Sequence, residues 1–395
     1  MSETVMILLV GGRATPNVLG VLTYRPDAVE YVVSKDEPDR YDDTRAVLAG
    51  IPQLAADAPP HWTNAFDVET IRAACAEAVA AHPGAEFIFN VTCATKVMAI
   101  TAYEYARTHG WPAIYINTAN RCSIHLTGPV SEHRLILLQL EEYLACYGRR
   151  PEKTFDFERL SVTRDQALMA ARILTTGGQP ANQLLTIIRR WGQGSGARVV
   201  RTRGQHTVST DVHEILDALV AQGLIRHPVE LADGHMQWKI ACDADFNYLC
   251  GTWLEVYVWD QANQCKDAKG QSLFDDVCFS LEIPGDVARK EIDVACMYQG
   301  QLLHCSCKTQ SNPFKTAALD ELRAVSSLIG GRFCTRLFVT NAFPPPESST
   351  GTRREFERFL AQARDRETVV VTGDRLPAIG EELAQQAIRP THRRV

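Results

Sequence analysis

The sequence has no excess of basic residues. It contains 41 Lys and Arg against 47 Asp and Glu, which gives a net charge of −6 at pH 7 and a pI near 6.0. No overall positive field therefore attracts polyanions, and nucleic-acid binding would require basic groups concentrated at one place. The 395 residues are too many for one typical domain and suit two or three.

Long apolar runs and a secretion signal are missing as well. No run approaches the length of about 18 apolar residues that indicates a membrane helix, and we expect no membrane association. The apolar run at 5–10 follows an acidic residue and no basic segment, which favours a buried strand over a signal peptide. Twelve cysteines are scattered along the chain, and without a signal we expect reduced thiols in a cytoplasmic protein.

Residues 1–150 alternate between strand-like and helix-like patterns. Unbroken apolar runs at 5–10, 28–34, 85–90 and 113–117 are separated by amphipathic helical patterns. This alternation predicts an α/β domain whose parallel sheet is covered by helices on both faces. In such domains ligands lie outside the carboxyl ends of the strands.

Two turns at these expected carboxyl ends carry polar groups. The segment GGRATPN (11–17) follows the first strand, and NVTCATK (90–96) follows a later one. Backbone N–H groups at the start of a helix suit an anionic phosphate, and Lys96 adds a positive charge. Neither turn has GxGxxG or the glycines of a P-loop, which disfavours a common dinucleotide or nucleoside-triphosphate site. The alternative is a pair of ordinary capped turns.

Residues 151–240 have a different pattern. Three helical patterns precede two strand-like runs around an Asp-Gly turn, which predicts a winged-helix-like connector. A stretch without any acidic residue contains five arginines: Arg189, Arg190, Arg198, Arg201 and Arg203. They either contact phosphates or form a solvated face of the connector.

Residues 241–395 carry a residue set that is typical of metal-dependent phosphodiester cleavage. This chemistry requires carboxylates that hold a hard cation and a positive charge beside the reacting phosphate. Asp293 lies in one predicted strand, Ser306 and Lys308 lie in the next, and Glu255 lies on the preceding helix. Alternation with period two places Ser306 and Lys308 on one face of their strand. The alternative is that Lys308 is a surface lysine.

The segment HCSCKT (304–309) also permits a zinc interpretation. His304, Cys305 and Cys307 are zinc-ligand residue types, but structural zinc sites use pairs of ligands spaced by two to four residues. A CxC without a matching second pair makes zinc the weaker interpretation. Alternation turns both cysteines towards the packed side, while the backbone carbonyl of Cys307 stays available to a metal.

Several segments together resemble the CRISPR-associated nucleases that join an N-terminal CARF domain to a C-terminal PD-(D/E)xK domain: GGRATPN, NVTCATKVM, GTWLE, EIDV, CKT and ELRAVSSLIGG. The resemblance spans nearly the whole chain. It implies a Rossmann-like CARF domain at 1–150 and a restriction-endonuclease-like α/β domain at 241–395, on either side of the winged-helix-like connector that the patterns predict at 151–240. It also implies a homodimer that binds a cyclic oligoadenylate, usually cyclic tetra-adenylate, made by type III CRISPR complexes.

The resemblance also implies roles for single residues. Asp293, Lys308 and Glu255 would be catalytic together with Ser306, which occupies the acidic position of the ExK element. Asp293, Glu255 and the carbonyl of Cys307 would hold Mg²⁺ or Mn²⁺. The residues expected to bind the cyclic oligoadenylate lie in the two turns: Gly12, Arg13, Thr15, Asn17, Asn90, Thr92, Ala94, Thr95 and Lys96.

Two departures from the family pattern affect these expectations. Cys93 and Ala94 replace paired glycines, which adds side chains where the backbone would approach phosphate. Ser306 replaces an acid, and a hydroxyl is a poorer magnesium ligand than a carboxylate. Glu282 and Glu291, at neighbouring strand positions, are candidates for the missing acid.

The sequence therefore predicts a nuclease that is activated by a cyclic oligoadenylate and cleaves DNA or RNA with a divalent metal. One alternative is a ligand-sensing, nucleic-acid-binding regulator with an inactive nuclease fold, which Ser306 and the arginine-rich stretch favour. A second alternative is a sensor whose CARF domain cleaves its own ligand.

Overall fold

The computed structural model describes residues 2–129, 131–192, 196–202, 208–285, 287–331 and 334–390. The chain divides into two compact units, which consist of Met1–Arg150 with Gln299–Gln301 and of Pro151–Tyr298 with Leu302–Val395. The division into three segments that the sequence suggests stays a prediction.

The first unit is built from alternating strands and helices. In chain order they are β1 (Thr4–Val10), α1 (Thr15–Tyr24), β2 (Ala28–Ser34), α2 (Pro38–Leu48), β3 (Pro60–Thr63), α3 (Val68–Ala80), β4 (Glu86–Asn90), α4 (Lys96–Thr108), β5 (Ala113–Asn117), β6 (Cys122–His125), β7 (Glu132–Arg134) and α5 (Leu140–Ala145).

These strands form one sheet in the order β3-β2-β1-β4-β5-β6-β7. The strands from β3 to β5 pair in parallel, whereas β6 and β7 pair antiparallel. Strands β1 and β4 are neighbours although β2 and β3 lie between them in sequence, so the strand order reverses there. At this topological switch point the loops after the two strands diverge and leave a crevice.

The remaining elements follow in chain order. They are β8 (Glu152–Lys153), α6 (Arg164–Thr176), α7 (Gly178–Trp191), β9 (Arg198–Arg201), α8 (Thr210–Ala221), β10 (Arg226–Glu230), β11 (Met236–Ile240), α9 (Asp243–Asn247), α10 (Trp253–Gln264), β12 (Asp276–Ile283), β13 (Lys290–Tyr298), β14 (Gln301–Lys308), α11 (Thr316–Leu328), β15 (Cys334–Thr340), α12 (Thr350–Asp365), β16 (Thr368–Val371) and α13 (Ile379–Ile388).

Helices α6 to α8 accompany a small sheet in the order β10-β11-β9. Three helices with a three-stranded sheet are the arrangement expected of a winged-helix-like module, and β9 is the strand that the sequence patterns did not predict. Leu184, Leu216 and Trp238 from this part are fully buried in one hydrophobic cluster with Leu254 and Cys305. The module therefore shares its core with the larger sheet of the second unit.

That larger sheet has the order β16-β15-β14-β13-β12-β8. Strands β14, β15 and β16 pair in parallel, and β12 pairs antiparallel with β13. Its two faces are covered separately, because Leu337 belongs to the shared cluster and Phe338 packs with Leu322 of α11 and Phe359 of α12. Strands β13 and β14, which carry the predicted catalytic residues, therefore lie in the middle of the sheet.

A π-helical turn, Tyr248–Thr252, joins α9 to α10. Helical turns of this kind are rare and are often found at functional sites. The carbonyl oxygen of Cys250 in this turn accepts hydrogen bonds from the Arg189 guanidinium at 2.9 and 3.1 Å and from the Thr309 hydroxyl at 2.8 Å. One oxygen atom thus connects α7, the end of β14 and the start of α10.

Among the helices that the structure describes, none combines the length and the apolar character that a membrane crossing requires.

Candidate functional site

The two polar turns predicted from the sequence lie together at the switch point of the first sheet. One follows β1 and the other follows β4, and these strands are hydrogen-bonded neighbours. The N–H of Gly11 donates to the carbonyl of Cys93 at 2.8 Å, which joins the two loops directly. Both turns therefore lie at one crevice, because β1 and β4 are adjacent in the sheet.

Asn17 and Asn90 form a buried clasp between the loops. The side-chain amide of Asn17 donates to the Leu9 carbonyl at 2.9 Å, and that of Asn90 donates to the Asn17 side chain and the Pro16 carbonyl at 3.1 Å each. Both asparagines are 0% exposed. They position the loops from inside, and a contact of either side chain with a ligand stays a prediction.

The clasp extends to the neighbouring strand through Thr92. Its hydroxyl donates to the Asn90 side chain at 2.7 Å and accepts from the N–H of Ile116 at 2.8 Å. Gly20 on α1 makes room for the clasp, because an added Cβ would lie 2.8 Å from the Asn90 amide nitrogen. A side chain at this position would push the asparagine out of place.

The other predicted residues of the two loops differ in their exposure. Thr95 caps α4 by accepting from the N–H of Met98 at 3.2 Å, and its hydroxyl donates to the Ala65 carbonyl. Thr15 is buried, with its hydroxyl beside the Cys146 thiol. The groups that are partly or fully exposed are Gly12, Arg13, Thr92, Ala94, Thr95 and Lys96. Two cations, together with loop backbone at the start of a helix, make this surface suited to an anionic ligand.

Cys93 and Ala94 fit the second loop without glycine. Neither residue has a positive φ, so the backbone adopts no conformation that requires glycine there. The side chain of Cys93 is buried, and burial raises the pKa of its thiol to about 12. Only Ala94 adds a partly exposed methyl group to the crevice.

In the second unit, Asp293, Ser306 and Lys308 come together on β13 and β14. The Asp293 carboxylate accepts from the N–H of Cys307 at 2.6 Å and from the Ser306 hydroxyl at 3.3 Å. The Lys308 ammonium lies 3.9 Å from the same carboxylate oxygen. Asp293 is only 8% exposed, so this carboxylate is oriented by three neighbours within the sheet.

Glu255 of α10 joins this cluster. Burial, and then the Asp293 carboxylate, raise the pKa of Glu255 well above its ordinary value, while a hydrogen bond from Ser280 opposes the shift. Burial also raises the pKa of Asp293 against the opposing effect of Lys308. Two buried carboxylates that share a site resist ionising together, so the pair favours a proton or a bound cation.

Ser280 is a member of this cluster that the sequence patterns did not reveal. It stands in β12 with a φ of 52°, in the left-handed region that favours glycine. Its neighbours Phe279 and Leu281 pair with Val294 and Ile292, which places Ser280 opposite Asp293. Backbone strain of this kind is found preferentially at functional sites.

Lys308 also contacts Glu321 of α11, at 3.7 Å. Burial works against the charge of Lys308, but the carboxylates of Asp293 and Glu321 outweigh it and raise the pKa of the ammonium. Glu321 was not identified from the sequence, because its spacing from Lys308 follows no motif. A cleft of about 540 Å³ lies here, and Lys290, Lys308 and Lys315 line it.

Of the two glutamates considered for the missing acid, Glu291 lies in the cluster. Burial and then Asp293 raise its pKa, and Lys308 opposes the shift. Glu282 instead pairs with Arg289 at 2.9 Å. The geometry therefore favours Glu291 over Glu282 as the additional carboxylate.

The chemistry of this donor set fits a divalent cation. Three carboxylates have raised pKa values because burial and mutual repulsion disfavour their charge. Within the described ranges, no three His, Cys, Asp or Glu side chains are already arranged to hold a metal ion. Oxygen donors with excess negative charge suit Mg²⁺ and Mn²⁺.

The zinc interpretation of HCSCKT does not agree with the geometry. Cys305 is fully buried in the hydrophobic cluster, whereas the His304 ring bonds to the Ser326 hydroxyl of α11 at 3.0 Å, on the other face of the sheet. Burial lowers the pKa of His304 to about 3 and raises that of Cys305. These residues are core side chains.

Most of the described arginines of the 189–203 stretch have intramolecular partners. Arg189 donates to the Cys250 carbonyl, Arg198 pairs with Asp243, and Arg201 pairs with Asp233 at 2.7 Å. Arg190 is exposed and lies over the ring of Trp191, 4.9 Å from its centroid, and Arg203 lies outside the described residues. A continuous phosphate-binding face is therefore not formed by the described arginines.

Family models identify both predicted domains. Residues 5–143 match the Card1 CARF domain, and residues 242–387 match the Card1-like endonuclease domain. Together the two matches cover more than two thirds of the chain, which therefore belongs to the proteins that join a Card1 CARF domain to a Card1-like endonuclease domain. The predicted α/β fold class and the predicted family are confirmed.

Solved structures share this fold at low sequence identity. Protein VC1899 from Vibrio cholerae is 19% identical with a TM-score of 0.76, and 98% of each chain is covered. Can2 from Sulfobacillus thermosulfidooxidans, solved in complex with cyclic tetra-adenylate, is 20% identical with a TM-score of 0.71 and 97% coverage of each chain. A type III CRISPR defence DNA nuclease activated by cyclic oligoadenylate is 18% identical with a TM-score of 0.53, over 88% of this chain and 47% of that one. No curated protein sequence matches significantly.

Proposed function

We propose that this protein is a cytoplasmic nuclease of type III CRISPR defence that a cyclic oligoadenylate activates. The observation that carries the proposal is the presence of a Card1 CARF domain and a Card1-like endonuclease domain in one chain. Cyclic tetra-adenylate is the favoured activator, because Can2 was solved with it. This ring is two-fold symmetric and therefore matches two symmetry-related copies of one site, which favours a homodimer.

The crevice of the first unit is the proposed activator site. Loop N–H groups near Gly12 and Ala94, together with the cations Arg13 and Lys96, would bind the phosphates. The buried clasp of Asn17 and Asn90 would fix the distance between the two loops. A ligand with several phosphates in one ring would then contact both loops at once.

The cluster around Asp293 is the proposed catalytic site. Mg²⁺ or Mn²⁺ would be held by Asp293, Glu255 and the carbonyl of Cys307, with Glu291 in place of the missing acid, and would supply charge neutralisation and water activation. The Lys308 ammonium, held between Asp293 and Glu321, stabilises the charge that develops on the phosphate as its bond to the leaving oxygen breaks. The Ser306 hydroxyl orients Asp293.

A cleavage assay tests this proposal. Purified protein is incubated with DNA or RNA and either Mg²⁺ or Mn²⁺, with and without cyclic tetra-adenylate. We expect cleavage that requires both the metal and the activator and that Lys308→Ala abolishes, whereas Lys269→Ala at an exposed turn retains it. Cleavage that persists in Lys308→Ala would contradict the assigned site.

A ligand-controlled nucleic-acid-binding regulator is the second candidate function. Ser306 in the acidic position favours it, because the strand then lacks one metal-binding carboxylate. Tight binding of DNA upon addition of cyclic tetra-adenylate, without cleavage in any metal, would support this alternative. Chromatography of the ring after long incubation tests a third role, in which the CARF domain cleaves its own ligand, and an unchanged ring removes it.

A further inference from the structure

A second cavity, of about 460 Å³, lies next to the proposed catalytic site in the second unit. It is formed by α7 and by the segments that follow β14 and β15, at 309–311 and 341–343. Its volume is in the range of ligand-binding pockets. None of the predicted catalytic or activator-binding residues lines it.

Asn341 lines this cavity and carries an acceptor without a partner among the described residues. The Asn182 amide donates to the backbone carbonyl of Asn341 at 2.7 Å, and the Asn341 amide donates to the side-chain oxygen of Asn182. Because a carbonyl only accepts, this pairing fixes the orientation of both side chains. The Oδ1 atom of Asn341 is left buried without a partner among the described residues, and the residue is only 6% exposed. A buried acceptor without a donor favours a ligand that brings one.

Flat groups line the same cavity. Trp191, Phe343 and the guanidinium of Arg190 all line the cavity, and Arg190 lies over the ring of Trp191. Aromatic rings and guanidinium planes are the groups on which proteins stack unpaired nucleobases. A planar, polar group therefore fits the cavity better than an aliphatic one.

The cavity and the lysine-lined cleft meet at one residue. Thr309 and Gln310 directly follow Lys308 and line the cavity, and Gln310 also lines the cleft with Lys290, Lys308 and Lys315. The Thr340 hydroxyl donates to the Lys308 carbonyl at 2.5 Å, which ties the end of β15 to the catalytic lysine. A strand whose phosphate lies in the cleft therefore has an adjacent base within reach of the cavity.

We propose that this cavity binds one unstacked nucleobase of the substrate strand and that Asn341 accepts a hydrogen bond from its exocyclic amino group. The inference rests on the proposed nuclease function and specifies its substrate as a single-stranded or locally unpaired nucleic acid. Adenine, cytosine and guanine carry such an amino group, whereas thymine and uracil do not. Cleavage therefore favours an amino-bearing base at one fixed position beside the cut.

Sequencing of product ends from randomised single-stranded DNA and RNA oligonucleotides tests the preference. With cyclic tetra-adenylate and metal, we expect about a tenfold preference for amino-bearing bases at one position, in line with the energy of a good base contact. Asn341→Leu removes the acceptor and reduces the preference to about twofold or less. Asn263→Ala, an exposed amide on α10, leaves it unchanged. Equal use of all bases by the unsubstituted protein, or an unchanged preference in Asn341→Leu, overturns the inference.

A binding experiment separates this inference from the nuclease proposal. Asp293→Asn protein is titrated with single-stranded oligonucleotides that carry one abasic site at successive positions, in the presence of cyclic tetra-adenylate. We expect one position at which the missing base weakens binding about tenfold, and no such position in the Asn341→Leu, Asp293→Asn double variant. If no abasic position weakens binding, the assignment of the cavity to a nucleobase is wrong, while the proposed nuclease activity is unaffected. If binding depends on one base but the unsubstituted protein cleaves no substrate, the base-binding role of the cavity is supported and the proposed nuclease activity is contradicted.

Discussion

The crevice of the first unit and the carboxylate cluster of the second hold their polar groups by opposite means. In the crevice, Asn17 and Asn90 are neutral, fully buried and hydrogen-bonded to backbone and to each other. In the cluster, Asp293 and Glu255 are acids whose charge the surroundings disfavour. The first site is complete as a scaffold, whereas the second gains stability only when a proton or cation arrives. If both sites have their proposed roles, the comparison predicts that ligand recognition depends on loop geometry and that catalysis depends on charge.

The largest expected effect comes from the charged site. Asp293→Asn removes the carboxylate that both Lys308 and the Cys307 N–H contact, and we expect cleavage to fall by about a hundredfold or more. Binding of cyclic tetra-adenylate, measured by calorimetry, stays unchanged because the crevice contains no catalytic carboxylate. Asp365→Asn, exposed at the end of α12, is the matched control. A loss of ligand affinity in Asp293→Asn would contradict the prediction that the two sites act independently in ligand binding and cleavage.

In the crevice of the first unit, we expect a substitution to lower the stability of the protein. Asn90→Ala leaves the Pro16 carbonyl and the Asn17 side chain without their partner, and we expect the free energy of unfolding to fall by about 2–3 kcal/mol. Affinity for cyclic tetra-adenylate falls with it, since the loops lose their fixed spacing. Asn120→Ala, an exposed amide of the same unit, changes neither. Denaturant unfolding and calorimetry measure both quantities, and an unchanged affinity would show that the clasp does not shape the crevice.

Ser306→Asp converts the substituted position back to an acid. Without metal, we expect the free energy of unfolding to fall by about 1–3 kcal/mol, because a further carboxylate is buried beside Asp293. Mg²⁺ or Mn²⁺ restores most of this loss, whereas Ser306→Asn responds little to either metal. Thermal melts with and without metal provide the measurement. Equal metal responses of the two variants would exclude a metal next to Ser306.

The smallest expected effect is the contribution of Glu255 to the pH dependence of stability. Its pKa in the folded protein is raised above the ordinary value of 4.5, so as pH rises past 4.5 the unfolded chain ionises first and stability falls. Glu255→Gln removes this loss, and without metal we expect it to be more stable by roughly 1 kcal/mol at neutral pH and equal to the unsubstituted protein below about pH 4. Unfolding across pH measures the difference. A difference that shrinks as pH rises would contradict the buried-carboxylate account.

The sequence predicted most of the first unit because its signals are local. The apolar runs that became β1, β2, β4 and β5 are unbroken, and the polar turns follow them directly. Strand β3 escaped notice because it has four residues and only one of them, Thr63, is fully buried. The buried role of Asn17 and Asn90 was also not predictable, because the same amides suit a ligand and a clasp equally well.

In the second unit, local signals located the strands that carry Asp293, Ser306 and Lys308 but not the whole cluster. Alternation correctly placed Ser306 and Lys308 on one face of β14, since both approach Asp293. Ser280 and Glu321 were missed because they reach the cluster through strand pairing and helix packing, which leave no spacing pattern in the sequence. The roles of all these residues in catalysis stay predictions.

The π-helical turn before α10 has a consequence for how this protein tolerates change. Its bonds to α7 and to the end of β14 are made by the carbonyl of Cys250, an atom that every amino acid possesses. A side chain of similar size at this position keeps these carbonyl bonds and loses only the contact of the Cys250 thiol with Arg189, so the residue can vary with little effect on the junction. A search for invariant side chains would therefore pass over one of the points on which the architecture of the site depends.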